Sequence, residues 1–280
     1  ASSFLTQQWA QACLGLSRDL SSVVSALFDA GVETVLIKDF HRTGHNIFTE
    51  LIDPRAVIVS GYRRGPIPGI GSPGNAQAVM FLGMHAASGS HGFLAHTLTS
   101  RIARLTVNDR LLAEVELFAA SLAPWHIRPI FFSGCPVACE QAAAVIENLH
   151  CFAIDKSYGP DNFDADTWRS SLAQAAVKAL SNDQTKSYYP VGPFDTRVSL
   201  REGEAMAARL ARRWKLQHSG AQIRIHADQM DELYRMLIRL CYLTPFTQKI
   251  LPLALMASNL RGLFGILWAR RRLNRLGGLS

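Results

Sequence analysis

The sequence predicts an α/β fold: a three-layer α/β/α arrangement on a largely parallel sheet, followed by a smaller α+β portion. Three observations predict it. Apolar residues recur at the helical period through residues 8–30, at Ala12, Leu16, Leu20, Val23, Val24, Leu27 and Phe28. Gly31 then closes this helix, and Val32–Ile37 follows as an apolar strand. From residue 56 to residue 154, short apolar runs alternate with helical stretches, which suits parallel strands covered on both faces.

A second strand is expected at Ala56–Ser60 and a third at Ala78–Leu82. Between them, residues 61–74 form a Gly/Pro-rich loop that lacks the Gly-Lys-Ser/Thr ending of a phosphate loop. Residues 101–107 read as a fourth strand, Asn108-Asp109 as a tight turn, and Leu111–Leu122 as a helix. Pro129–Ser133 is a buried strand, Cys139–Leu149 a helix, and His150–Ile154 a short strand. The pattern changes near residue 160. Helices at Trp168–Leu180, Glu202–Trp214 and Gln229–Tyr242, with strands at Thr196–Leu200 and Ala221–His226, make the smaller α+β portion. The expected division is residues 1–158, 159–244, and a tail from 245 to 280.

Charge is unevenly spread. The net charge is +7, yet residues 245–280 hold Lys249, Arg261, Arg270, Arg271, Arg272 and Arg275 and no acid, which leaves the other 244 residues at +1. A nearly neutral body argues against nucleic acid as a partner. Five cysteines, at 13, 135, 139, 151 and 241, match no disulfide framework and read as free thiols in a reducing compartment. No secretory leader opens the chain, and a cytoplasmic location is expected, with membrane-peripheral contact through the tail as a variant of it.

Four ionisable residues fall just past predicted strands or in the turns beyond them: His41, His85, His96 and Glu114. In a parallel α/β sheet ligands bind outside the carboxyl ends of the strands. Imidazole nitrogen and carboxylate oxygen are zinc donors, so residues leaving neighbouring strand ends are candidates for a shared metal. Each also has an ordinary reading. A lone loop histidine is usually a surface residue, and Glu114 suits a helix N-terminus. Asp39 fits two roles equally, an acceptor that orients His41 or a cap for the turn after the strand. His45 and His91 are expected to face solvent.

Three blocks then show a likeness. Asp29–His41 (DAGVETVLIKDFH), Gly83-Met84-His85-Ala86 with Gly92–Thr97 (GFLAHT), and Asn108–Glu114 (NDRLLAE) resemble segments of the M55 peptidases, the D-aminopeptidases, in the same order and spacing. A weaker resemblance runs through Asp228–Arg235 to about residue 244. The resemblance implies a hydrolase with two zinc ions. By position, His41 matches a ligand of one zinc, His85 and Glu114 match ligands of the other, and His96 matches the active-site histidine that binds no metal. The family's Asp-x-Glu-Gly motif, whose Asp bridges both metals and whose Glu joins the His41 equivalent, is absent: residues 1–7 hold no acid. That motif is expected on a strand just ahead of residue 1. The expectation is therefore a chain that begins after its first strand; the competing one is a relative that has lost the site. A further departure is Ala113, where the family usually has Gly.

The implied activity is a zinc-dependent aminopeptidase of short peptides, those with an N-terminal D-residue included, in a homo-oligomer. The alternative is a non-catalytic relative that keeps the fold as a binding or assembly module; a third reading is a hydrolase of another small amide. In the tail, Leu260, Leu263, Phe264 and Leu267 share a helical face ahead of the arginines. Residues 259–275 thus suit an anionic membrane surface or an acidic partner, with docking on a neighbouring subunit as the other reading. Pro252, Asn259 and Arg261 are expected to interrupt any membrane-spanning helix.

Overall fold

The structure, a computed structural model, describes residues 4–154 and 164–277. In chain order its elements are α1 (Gln7–Asp29), β1 (Leu36–Lys38), β2 (Val57–Val59), β3 (Ala78–Met84), β4 (Ile102–Val107), β5 (Arg110–Leu111), α2 (Glu114–Leu122), β6 (Arg128–Gly134), α3 (Pro136–Val145) and β7 (His150–Ala153). They continue with α4 (Ala165–Lys178), β8 (Phe194–Leu200), α5 (Glu204–Trp214), β9 (Gln217–Ser219), β10 (Gln222–Ala227), α6 (Met230–Tyr242), α7 (Pro245–Lys249) and α8 (Leu251–Asn274). The α/β class holds, with parallel sheets and covering helices.

The chain forms two compact units that do not follow chain order. One comprises residues 1–72, 164–181 and 250–280; the other comprises 73–163 and 182–249. The expected boundary at 158/159 lies outside the described residues.

In the first unit, Thr6 caps α1, its Oγ1 accepting from Trp9 N at 3.3 Å. At the far end Gly31 (φ +89°) donates to Phe28 O and Val32 to Leu27 O, a left-handed closure that suits glycine. That closure holds Val32 in the helix cap, so the strand expected from residue 32 forms only at 36–38, paired in parallel with β2. Helices α4 and α8 pack on α1. One face of α8 (Ile266, Ala269, Leu273) shares a core with Trp9, Ala10, Cys13 and Phe48. Gly262 and Gly265 make this fit possible: a Cβ there would sit 2.5 Å from His45 Cδ2 and from Phe4 Cζ respectively. The expected interruption of the tail is corrected: α8 runs unbroken, with Pro252 in its first turn where no helical N–H is lost, and it is long and apolar enough by composition to cross a membrane.

In the second unit, β3-β6-β7 form a parallel sheet. Its middle strand β6 is buried from Pro129 to Gly134, as a two-sided parallel strand requires. A second sheet, β5-β4-β8-β10-β9, is antiparallel. Residues 101–107, expected to extend the parallel sheet, belong here instead. The cause is the Asn108-Asp109 turn, with φ of +47° and +67°, which folds β5 back on β4 as a tight hairpin before α2 begins. Strand β8 alternates buried and exposed residues and packs its inner face under α5, while α6 packs on β10.

Candidate functional site

The end of β3 positions the first part of the site. Gly83 takes a left-handed φ of +67°, and its N–H donates to Ser133 Oγ on the neighbouring β6 at 3.0 Å. His85 and Ala86 follow. The chain then loops out through exposed Phe93 and Leu94 and returns so that His96 N donates to Ala86 O at 3.0 Å. A reciprocal clamp locks the loop: Ser88 N donates to Thr97 Oγ1 (3.1 Å), Thr97 N donates to Ser88 Oγ (2.8 Å), and Thr97 Oγ1 donates to Leu112 O (2.9 Å). Ser88 and Thr97 are fully buried, so this polar pair is both satisfied and rigid.

The result places His85 and His96 side by side, their ring centroids 4.7 Å apart. Nδ1 of His85 lies 3.2 Å from Phe93 O, and Nδ1 of His96 lies 2.8 Å from Leu94 O. With each Nδ1–H donating to a carbonyl, each Nε2 carries the lone pair, the arrangement that presents imidazole as a metal ligand or base.

Glu114 opens α2 directly beneath this loop. Its Oε1 accepts from Leu98 N at 2.9 Å, and Leu98 O accepts from the Tyr242 hydroxyl. Burial pushes the Glu114 carboxyl above the ordinary carboxylate range, while nearby His96 and the Leu98 N–H pull it down. The same burial raises the Cys241 thiol to about 12, with Arg101 opposing and Glu114 adding. Two residues along α2, buried Glu116 braces the helix start. It accepts from Ala113 N at 3.1 Å and from the Tyr188 hydroxyl at 3.2 Å, and pairs with Arg110 at 2.5 Å.

Asp39 and His41 lie in the other unit, on the loop after β1. Asp39 is buried, and its carboxylate accepts from His41 N (3.0 Å), Asn46 N (2.6 Å) and Asn46 Nδ2 (3.0 Å). Asp39 therefore bonds the backbone of His41 and ties off the loop. His41 itself is exposed. The next histidine departs from expectation: His45 is half-buried under Gly262, its Nε2 enclosed without a hydrogen-bond partner, and burial lowers its pKa. A helix packed from more than 200 residues away in the chain carries no signal in the local sequence.

The structure thus brings His85, His96 and Glu114 together in one unit. Among the described residues, no three His, Cys, Asp or Glu side chains converge closely enough to hold a metal ion. In kind the His85 imidazole, with its nitrogen oriented, and the half-buried Glu114 carboxylate suit zinc; in number they fall short of a closed site. The Ser88–Thr97 clamp, Asn46 and the Arg110–Glu116–Tyr188 network, all needed to hold these groups, had no legible spacing in the sequence.

The solved structure of the Zn-dependent D-aminopeptidase DppA from Bacillus subtilis, described as a self-compartmentalizing protease, superposes with a TM-score of 0.73 over 83% of this chain and 87% of that one. At 20% identity this likeness shows the fold. The D-aminopeptidase of Bacillus subtilis (strain 168) is 22% identical over 166 residues, 59% of this chain and only 56% of that protein's length. The profile of the peptidase M55 family, described as D-aminopeptidase, matches residues 4–238. With that match spanning most of its length, the chain belongs to the M55 family of D-aminopeptidases.

Proposed function

We propose that this chain is a zinc-dependent aminopeptidase of short peptides, those with an N-terminal D-residue among them, working in the cytoplasm as a homo-oligomer. One observation carries the reading: a rigid loop at the end of β3 sets the His85 and His96 rings 4.7 Å apart, over Glu114 at the start of α2. His85 Nε2 and the Glu114 carboxylate would hold one zinc ion, and His41 would serve a second. Bound zinc would supply Lewis-acid polarisation of the scissile carbonyl and of the attacking water. His96 binds no metal in this reading. Its Nε2 lone pair takes up a proton as water adds to the carbonyl, and the protonated Nε2 then donates a hydrogen bond to the developing oxyanion or passes that proton to the departing amine as the C–N bond breaks. Supporting the oligomer and the metal, the DppA neighbour is described as Zn-dependent and self-compartmentalizing. Supporting the compartment, all five cysteines are free.

The absence of a three-donor cluster among the described residues favours a second reading, a non-catalytic relative that keeps the fold for binding or assembly. Elemental analysis of protein purified without chelator separates the two. Zinc that binds the wild type and is lost in His85→Ala, with hydrolysis of L- or D-alanyl dipeptides lost in His96→Ala, supports the peptidase. Zinc absent even after addition of excess metal sinks it. Bound zinc without cleavage of any peptide in the panel moves the reading to another small amide.

A further inference from the structure

Helix α8 carries apolar side chains on two opposite faces. Ile266, Ala269 and Leu273 point into the core against α1. Leu253, Met256, Leu260, Phe264 and Leu267, spaced by three and four residues, form a stripe on the other side. This stripe is bare: Phe264 is 74% exposed, and Leu253, Met256 and Leu260 are each at least half exposed. A continuous exposed stripe along a 24-residue helix is far more than the scattered apolar residues of an ordinary surface.

Cations flank the stripe at both ends. Past Leu267 come Arg271, Arg272 and Arg275, which make no ion pair among the described residues; Arg270 is already held by Glu50 at 2.7 Å. Towards the helix start a groove of about 420 Å³ is lined by Met256, Leu260 and Leu263 together with Arg63 and Arg64. Residues 245–280 hold no acid. The family match ends at residue 238, so the stripe and the arginines of α8 belong to the part of the chain beyond it.

We propose that α8 docks on an anionic lipid surface, lying in the plane of the bilayer with its stripe among the acyl chains and the arginines on the phosphates. The charge decides the occupant. A second copy stacked on this stripe would bring more arginine and no acid from its own tail, whereas anionic headgroups supply the missing negative charge. Although α8 is long enough to cross a bilayer, its inner face is already packed on α1, and leaving that core to span would expose Trp9 and Phe48. The helix therefore lies on the membrane. Because the same helix closes over His45 through Gly262 and grips the backbone of Tyr62 through Asn259 (2.9 and 3.0 Å), docking would hold the His41-bearing unit at the surface.

The test is sedimentation of the full chain with vesicles of phosphatidylcholine alone or mixed with phosphatidylglycerol. The chain is expected to bind only the mixed vesicles, and less as salt rises. The variant Arg271→Ser/Arg272→Ser/Arg275→Ser should bind on the order of a hundredfold more weakly, about fivefold per arginine. Leu260→Ser/Phe264→Ser keeps every charge and should lose at least about tenfold. Circular dichroism confirms that both variants fold, since the replaced side chains are exposed. Failure to bind the anionic vesicles, equal binding to both kinds, or arginine variants that bind like the wild type overturns the proposal. So does a dimer, seen by light scattering, that Leu260→Ser/Phe264→Ser breaks without changing vesicle binding, because the stripe would then belong to a second copy.

Discussion

The carboxylate of Asp39 accepts from both the backbone and the side-chain nitrogen of Asn46, at 2.6 and 3.0 Å, and Asn46 Oδ1 in turn accepts from the Trp9 indole at 3.1 Å. This chain ties the His41 loop to the core beneath α1 and α8. Replacing Asp39 with Ala leaves three donors unmet, two of them on buried Asn46. The expected loss is about 3 kcal/mol of stability, read from the urea midpoint. Asp39→Asn, which keeps an acceptor oxygen, should lose less.

Lys38 gives the protein a pH dependence of predictable sign. Burial lowers its pKa from 10.5 to about 8, against the pull of Asp39 and with a small push from Arg63. Between those values the unfolded chain binds more protons than the folded one, so stability rises with pH across that window. Denaturant titrations below, within and above the window should show this rise in the wild type and its disappearance in Lys38→Met.

Gly262→Ala tests the close approach of α8. Alanine favours a helix over glycine by about 1 kcal/mol, so an uncrowded site would be stabilised. Here the new methyl would lie 2.5 Å from His45 Cδ2 and 2.9 Å from Thr43 Cβ. Overpacking of this kind costs about 1–3 kcal/mol, and the net change should be destabilising. A thermal melt reads it, and adding His45→Ala should recover part of the loss.

Glu116→Ala should cost about 2–3 kcal/mol, because Ala113 N and the Tyr188 hydroxyl lose a buried charged acceptor while half-exposed Arg110 turns to water. The start of α2 loosens with it. Zinc content measured on the folded fraction should fall together with stability, although Glu116 itself binds no metal in the proposed site.

The local signals were legible wherever short-range physics decides. Helical periodicity through residues 8–30 marked α1 (Gln7–Asp29), Gly31 marked its end, and the alternation of apolar runs marked β3, β6 and β7. Three short blocks carried enough identity to suggest the family and to single out His41, His85, His96 and Glu114 as candidate site residues. What they could not carry was pairing. Whether residues 102–107 join a parallel or an antiparallel sheet depends on the partner strand β8, nearly a hundred residues later, and on the left-handed Asn108-Asp109 turn that commits the chain to it.

The sequence by itself thus determined the α/β class, the basic character of the tail and the identity of the candidate donors, because composition, periodicity and motif are properties of neighbouring residues. Only the tertiary structure decided which side chains hold those donors in place, that His45 is covered by α8, and that the tail helix has one face in the core and one bare. Each of these depends on contacts between residues far apart in the chain. Such contacts form when folding brings complementary surfaces together, and no local pattern records them.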